Sequence, residues 1–287
     1  MAYRNTTSQD VEFLHDTSAP RYAYESDEED QLNPLSSGCE QKTARVSISI
    51  KGLAHSQGTA KAVVIASGQA GNAWARGAQL GEQRAAVLVD NIIVALIFLP
   101  SWSDAVVIIS ETSATLPAWV MRPYAEAIVH FYKPSRLLLL DTYPFPTCIK
   151  PQPLDIYHAP VCYLRTQGKA APASFLSPYW PPNLIQMTCA AFTSIAALPT
   201  SQMEAILLLL PSPRIPTSRG HDISLIPNTP EDIYNVIWPD SILQKVHICL
   251  GELCELRGPS SWQSGIVPSK LPGTKRRGDI GDGGMYI

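Results

Sequence analysis

Charge is what this chain has least of. Only 16% of its 287 residues are Asp, Glu, Lys or Arg, and the formal net charge is −3. Globular domains usually carry about a quarter of charged residues. Without a positive excess, a generic nucleic-acid binder is excluded. Long apolar runs are missing too. The most apolar one, residues 92–100, is too short to span a bilayer, and Asp90 and Asn91 stand just before it. A buried strand is the expected identity, and no membrane partner is expected. There is no internal repeat and no heptad pattern.

Catalytic signatures are equally scarce. No Gly-x-Ser-x-Gly elbow occurs. Gly68-Gln69-Ala70-Gly71 follows an apolar run but lacks the third glycine of a dinucleotide fingerprint and the Gly-Lys-Ser/Thr ending of a P-loop. A tight strand-to-helix turn is expected there. The six histidines include no i, i+4 pair. His247 lies near Cys249 and Cys254, but a structural zinc site needs four ligands. No metal and no cofactor are expected. The six cysteines lie far apart behind a polar, acidic N-terminus that reads as no secretory signal. They are expected to be free, mostly buried thiols in a reducing compartment, which implies the cytoplasm.

What is present is 45% hydrophobic residues and 25 prolines, many of them between apolar runs. Length and composition suit one large or two modest globular domains. Residues 1–42 hold nine of the 25 acidic residues and little aliphatic content, so they read as a disordered acidic arm. Ser26 in Glu25-Ser26-Asp27-Glu28-Glu29-Asp30 is either a site for an acid-directed kinase or part of a plain solvated loop. Residues 43–268 read as the single folded domain.

Within it, 46–50 alternates with period two and predicts a half-buried strand. Unbroken apolar runs at 62–66, 92–99, 105–109, 136–143, 161–166 and 204–211 predict buried strands. Residues 70–84 read as a helix weakened by Gly71, Gly77 and Gly81. Residues 117–132 predict a helix with Trp119, Met121, Ala125, Ile128, Val129 and Tyr132 on one face and Pro123 near its first turn. Asn183 reads as the cap of a helix over 184–197. Thr229-Pro230-Glu231-Asp232 reads as a helix start, with helices running to about Leu253. Residues 144–160, 168–182 and 212–228 read as loops. Buried strands alternating with helices predict an α/β fold, a layered and mostly buried sheet flanked by helices.

Asp141 ends the strongest predicted strand, a place where open α/β sheets bind ligands. A carboxylate there is either catalytic or a helix-capping acid. Asp155, Asp222 and Asp232 have no partner in the sequence. A small-molecule α/β enzyme, hydrolase-like or nucleoside-phosphorylase-like, therefore predicts a deep polar pocket near Asp141 or Gly68.

The sharpest feature is the end of the sequence. Residues 269–284 are polar and Gly-rich, a flexible tether. They carry Lys275-Arg276-Arg277, either a nuclear-import cluster or solvated linker charge. The last residues are Met285, Tyr286 and Ile287. A tether ending in an apolar residue, a tyrosine and a carboxylate reads as a plug for a partner's pocket with a cation at its end.

The order of several segments resembles the proteasome assembly chaperone 1 family of fungal type. The carriers are Leu137-Leu138-Leu139-Leu140-Asp141-Thr142, then Val161-Cys162-Tyr163-Leu164-Arg165-Thr166-Gln167, then Pro182-Asn183-Leu184-Ile185, then the apolar run 205–210. Asn33-Pro34-Leu35 behind the acidic stretch adds to it, and Gly284-Met285-Tyr286-Ile287 matches the family's hydrophobic-Tyr-any ending. The Pro-rich loop 144–160 and the run 92–100 depart from the family pattern. The resemblance implies a non-catalytic chaperone that pairs with a related subunit, proteasome assembly chaperone 2. The pair would cap the outer face of the proteasome α-ring, with Met285, Tyr286 and Ile287 in a pocket between α-subunits. Activators would be kept off until the core particle matures.

Overall fold

Three apolar runs set the centre of the sheet. Strands β2 (Ala62–Ser67), β7 (Arg136–Pro144) and β10 (Glu204–Ser212) lie side by side and parallel. Leu139 sits level with Ile65 on one side and Leu207 on the other. Their side chains are apolar on both faces, so both faces need a covering layer. The computed structural model describes residues 46–52, 60–149, 155–168, 171–216, 219–226, 238–255 and 261–263.

On one flank β5 (Val106–Ser110) pairs parallel with β2. Antiparallel β4 (Ile92–Phe98), β3 (Gln83–Val89) and β1 (Ile48–Gly52) follow outward. On the other flank β8 (Cys162–Arg165) runs antiparallel to β10, and β9 (Ser177–Pro178) closes that edge. The nine-stranded order is β1-β3-β4-β5-β2-β7-β10-β8-β9. Two short strands, β6 (Ala114–Thr115) and β11 (Ser224–Leu225), form a separate ladder.

Among the described residues, four helices cover the two faces. Helices α2 (Ala118–Tyr132) and α3 (Thr188–Ala196) pack with Val63, Ile65, Leu137, Leu139, Leu207 and Leu209. Helices α1 (Gly68–Ala75) and α4 (Asp240–Leu253) pack with Val64, Ala66, Leu138, Leu140, Ile206 and Leu208. Alternation along each strand feeds the two cores in turn. The architecture is the expected α/β fold. Five cysteines among the described residues are free, and Cys162, Cys189, Cys249 and Cys254 of these are buried.

The helix expected over 70–84 ends at Ala75, and Gln83 already begins β3. Gly77 explains the break. A Cβ there would lie 2.4 Å from the Trp262 ring, so the chain turns where a later segment presses on it. Gly71 is needed inside α1 for a similar reason, because a Cβ would meet the Ala66 backbone at 2.5 Å. Asp90 and Asn91 both take positive φ, 48° and 66°, and make the β3–β4 hairpin turn. That pairing of signs is the one such two-residue hairpins need.

The face of α2 also differs in detail. Trp119 is exposed, while Tyr124 is fully buried at its centre. Pro123 falls in the second turn, not the first. Asn183 caps no helix, since α3 starts at Thr188 with Met187 before it. Its amide instead ties two loops together. The side-chain oxygen accepts from Ile149 N at 2.7 Å, and Nδ2 donates to Ile149 O at 3.0 Å and Trp180 O at 2.9 Å. The helix start expected at 229–232 lies outside the described residues.

Candidate functional site

Met285, Tyr286 and Ile287 lie outside the described residues, as do Ser26, Asp232 and Lys275-Arg276-Arg277. The described residues do gather chemistry at one place. It is the carboxyl end of the parallel strands, where β2 ends at Ser67, β5 at Ser110 followed by Glu111, and β7 carries Asp141.

Glu111 turns back under the sheet end with a left-handed φ of 55° and is 2% exposed. Its Oε1 accepts from Leu116 N at 2.9 Å. Its Oε2 accepts from Ser67 Oγ at 3.0 Å and Thr188 Oγ1 at 2.8 Å. Arg219 completes the set with an ion pair to Oε1 and a longer contact to Oε2 at 3.4 Å. The Arg219 guanidinium also donates to Leu116 O at 2.8 Å. A buried carboxylate needs such partners, because desolvation alone would be costly. Beside it, Ser110 Oγ and Tyr124 OH share a hydrogen bond of 2.9 Å. Burial raises the Tyr124 phenol well above its ordinary value.

Asp141 is the second carboxyl, and it is 1% exposed. Its Oδ1 accepts from Thr142 N at 2.8 Å, while Oδ2 has no hydrogen-bond partner. Burial pushes this carboxyl up to about 7, with Glu111 adding to the rise; Thr142 N–H, the Cys189 thiol and Arg219 oppose it. The Cys189 thiol is itself raised well above its ordinary value, first by burial and then by Asp141. That disfavours a thiolate.

The cluster is closed. Its contacts are to one another and to backbone, and they bind β2, β5, the start of α3 and the 219–226 segment together. Trp119 Nε1 adds a bond of 2.7 Å to His221 O of that segment. A neighbouring depression is lined by Thr142, Tyr143, Tyr179, Leu184, Ile185 and Met187, among others, and holds about 20 Å3 of free space. That is room for about one water molecule. Its walls are largely apolar. A strand-end arrangement of this kind holds loops in place; it does not present a carboxylate to a solvent-borne substrate.

The other expected candidates make none of the cluster's hydrogen bonds, although Gly68 directly follows Ser67. Gly68 takes φ +55° and opens α1, with no atom within 4 Å of a Cβ built there. Asp155 and Asp222 are exposed. His247 is buried with its ring 5.9 Å from that of Trp74 and 5.1 Å from that of Trp102, and burial lowers its pKa. Among the described residues no group of three His, Cys, Asp or Glu is placed to hold a metal ion. No helix among them is long and apolar enough to cross a membrane. Sequence reasoning reached Asp141 but missed Glu111 and Arg219. Glu111 was visible as an acid one residue beyond the apolar run 105–109, with Ser110 between, a pattern close to the one that marked Asp141. Arg219 carried no signal inside an irregular segment.

No family model matches the chain, and no curated protein matches it. Solved structures do. Pyrococcus furiosus PbaB, an archaeal proteasome activator, is 10% identical and aligns over 74% of this chain and 91% of its own, with a TM-score of 0.45. Pyrococcus furiosus PbaA, an archaeal homolog of proteasome-assembly chaperone, is 10% identical over 75% of this chain and 83% of its own, with a TM-score of 0.43. A Mycobacterium tuberculosis proteasome-assembly chaperone homologue is 14% identical over 67% of this chain and 93% of its own, with a TM-score of 0.29.

Proposed function

We propose that this protein is a non-catalytic chaperone of proteasome core-particle assembly. It acts as a heterodimer with proteasome assembly chaperone 2 on the outer face of the α-ring. Residues 1–42 are an acidic arm, 43–268 the body and 269–287 a tether. The tether delivers Met285, Tyr286 and Ile287 into a pocket between α-subunits, with Ile287 taken as the free end. The protein works in the cytoplasm, with Lys275-Arg276-Arg277 giving access to the nucleus.

One observation carries this reading. A Gly-rich, polar run ends in Gly284-Met285-Tyr286-Ile287, the hydrophobic-Tyr-any ending that the sequence shares with the family it resembles. The physics of such an end is favourable but small. Burial of Met285 and the Tyr286 ring contributes roughly 1.5–3 kcal/mol each. A carboxylate against a pocket lysine adds about 1–3 kcal/mol. Ordering the last residues costs about 1–2 kcal/mol apiece. The tether over 269–284 has an r.m.s. reach on the order of 20–25 Å, which suits a body seated above a ring.

The enzyme alternative asks for a deep polar pocket near Asp141 or Gly68. The Asp141 carboxyl is buried, and the depression beside it is small and largely apolar. The decisive experiment is co-purification of core-particle precursors with three chains: wild type, one lacking residues 285–287, and Tyr286→Ala. Both variants should lose the precursors while keeping the wild-type melting temperature. Undiminished recovery with both would defeat the tail mechanism.

A further inference from the structure

Trp262 is a buried residue between two exposed neighbours, Ser261 and Gln263. No helix or strand includes it, so its own contacts hold it in place. Its ring joins the core cluster that contains Trp74, Leu80, Trp102 and Cys254. Its indole Nε1 donates to Trp74 O at 2.9 Å, and Gln263 N donates to Gly77 O at 3.1 Å. The last carbonyls of a helix lack partners within it. Trp74 lies in the last turn of α1 and Gly77 just beyond it, so a residue 188 positions later adds donors to the end of that helix. Gly77 is the floor of the seat. A Cβ there would overlap both the Trp262 ring and Gln263 O. A gap that only glycine leaves open, filled by one ring with its N–H satisfied, is a seat for a single side chain.

This seat is at the amino ends of the parallel strands. Trp102, in the connection that leads into β5, donates from Nε1 to Ala78 O at 2.8 Å, next to Gly77. The end of α4 reaches the same pole. Arg136, the first residue of β7, donates to Leu253 O at 2.8 Å, and Lys61, just before β2, pairs with Glu255. The Glu111 cluster sits at the opposite, carboxyl pole. In the sequence, six residues join Glu255 to Trp262, and 258–269 carry no Asp, Glu, Lys or Arg before charge returns at Lys270. From Gln263 to Met285 the chain has 21 intervening residues, 264–284; from Glu255 it has 29, 256–284. As free chain these span about 25 Å and about 30 Å. Seating Trp262 thus changes the reach of the tail little. It fixes where the tail begins.

We infer that Trp262 is a clasp that pins the root of the C-terminal tether at the amino pole of the sheet, so that the tail leaves the body from the pole opposite Glu111. The inference rests on the tether reading of 269–287, but not on what the tail binds. Trp262 is a positioning residue for the tail, and Gly77 is what makes room for it.

The test is amide hydrogen exchange by NMR on the full chain, wild type against Trp262→Ala and Trp262→Phe. In wild type Gln263 N–H should exchange at least about a hundredfold slower than an unstructured amide, yet at least about tenfold faster than Leu139 N–H in β7, the mark of a clasp that opens by itself. In Trp262→Ala the Gln263 protection should fall at least about tenfold while Leu139 remains the slower amide by at least about a hundredfold. Trp262→Phe keeps an apolar peg and loses the bond to Trp74 O, so it should lie between; if Trp262→Ala fails to fold, it carries the comparison alone. An unprotected Gln263 in wild type overturns the inference, because the clasp would not be shut in solution. An unchanged Gln263 rate in the variants overturns it too, since Trp262 would then hold nothing. Equal wild-type rates for Gln263 and Leu139 make Trp262 an inseparable part of the core and also overturn it. None of these outcomes decides whether Met285-Tyr286-Ile287 recovers precursors, so a failed clasp leaves the proposed function standing.

Discussion

Replacing Asp141 with Asn should stabilise this protein at alkaline pH and do little at acid pH. The carboxyl is fully buried, one of its oxygens has no partner, and its pKa rises from 3.8 to about 7. Between those two values the folded chain holds a proton that the unfolded chain has released. Stability therefore falls as pH rises, because the native state binds more protons. The contribution is whole below about pH 4, declines through the window and is gone above about pH 7. Three units correspond to about 4 kcal/mol in all, and the span from pH 5 to pH 7 to about 3 kcal/mol. Asn keeps the shape and has no charge to release. Urea unfolding of both chains at pH 5 and pH 8 measures the effect. The advantage of Asp141→Asn should grow by about 3 kcal/mol from the lower pH to the higher. An advantage that is the same at both pH values would refute the assignment of a buried, ionising carboxyl.

Arg219→Ala should cost about 3–5 kcal/mol, because it strands the Glu111 carboxylate in the interior, and Glu111→Gln in the same chain should return part of the loss. A double-mutant cycle in urea reads both numbers, and simple additivity of the two changes would deny the pair. Gly77→Ala should cost about 1–3 kcal/mol and loosen the packing of Trp262, since the new methyl lands on its ring. Tryptophan fluorescence alongside thermal melting follows that change, and a variant with unaltered melting would show that the contact is slack.

The sheet was legible because its centre is written in uninterrupted apolar runs. Ala62–Ser67, Arg136–Pro144 and Glu204–Ser212 were each visible within a residue or two, for a strand covered on both faces carries no polar alternation to confuse its ends. Strand β3 was not legible. Its first residues, Gln83-Arg84-Ala85-Ala86, suit a helix, and only the pairing with β4 and the hairpin at Asp90-Asn91 make them extended. Asn183 was misread for a related reason. An Asn before an apolar stretch suits a helix cap, yet its donors and acceptors are spent on Ile149, a residue 34 positions away. The strand-end cluster was half legible. Asp141 announced itself by position, whereas Glu111 needed Thr188 and Arg219, whose approach only the folded chain shows.

On the proposed reading, the tail and the body answer different physical needs. Three tail residues gain a few kcal/mol each at most and then lose much of it to ordering and to association. A free tail is consequently a weak ligand, in the range where its pocket is mostly empty. Tethered to a body already held on the ring, the same residues meet their pocket at an effective concentration near the millimolar range. Whatever seats the body therefore decides whether the tail counts. A partner chain paired with the body enlarges the surface facing the ring and brings its own contacts to the same assembly. Loss of the partner chain and loss of Met285-Tyr286-Ile287 should then be less than additive in the recovery of precursors, because either one already removes the joint engagement. Strict additivity of the two losses would mean that body and tail bind independently, and the tether would have no mechanical purpose.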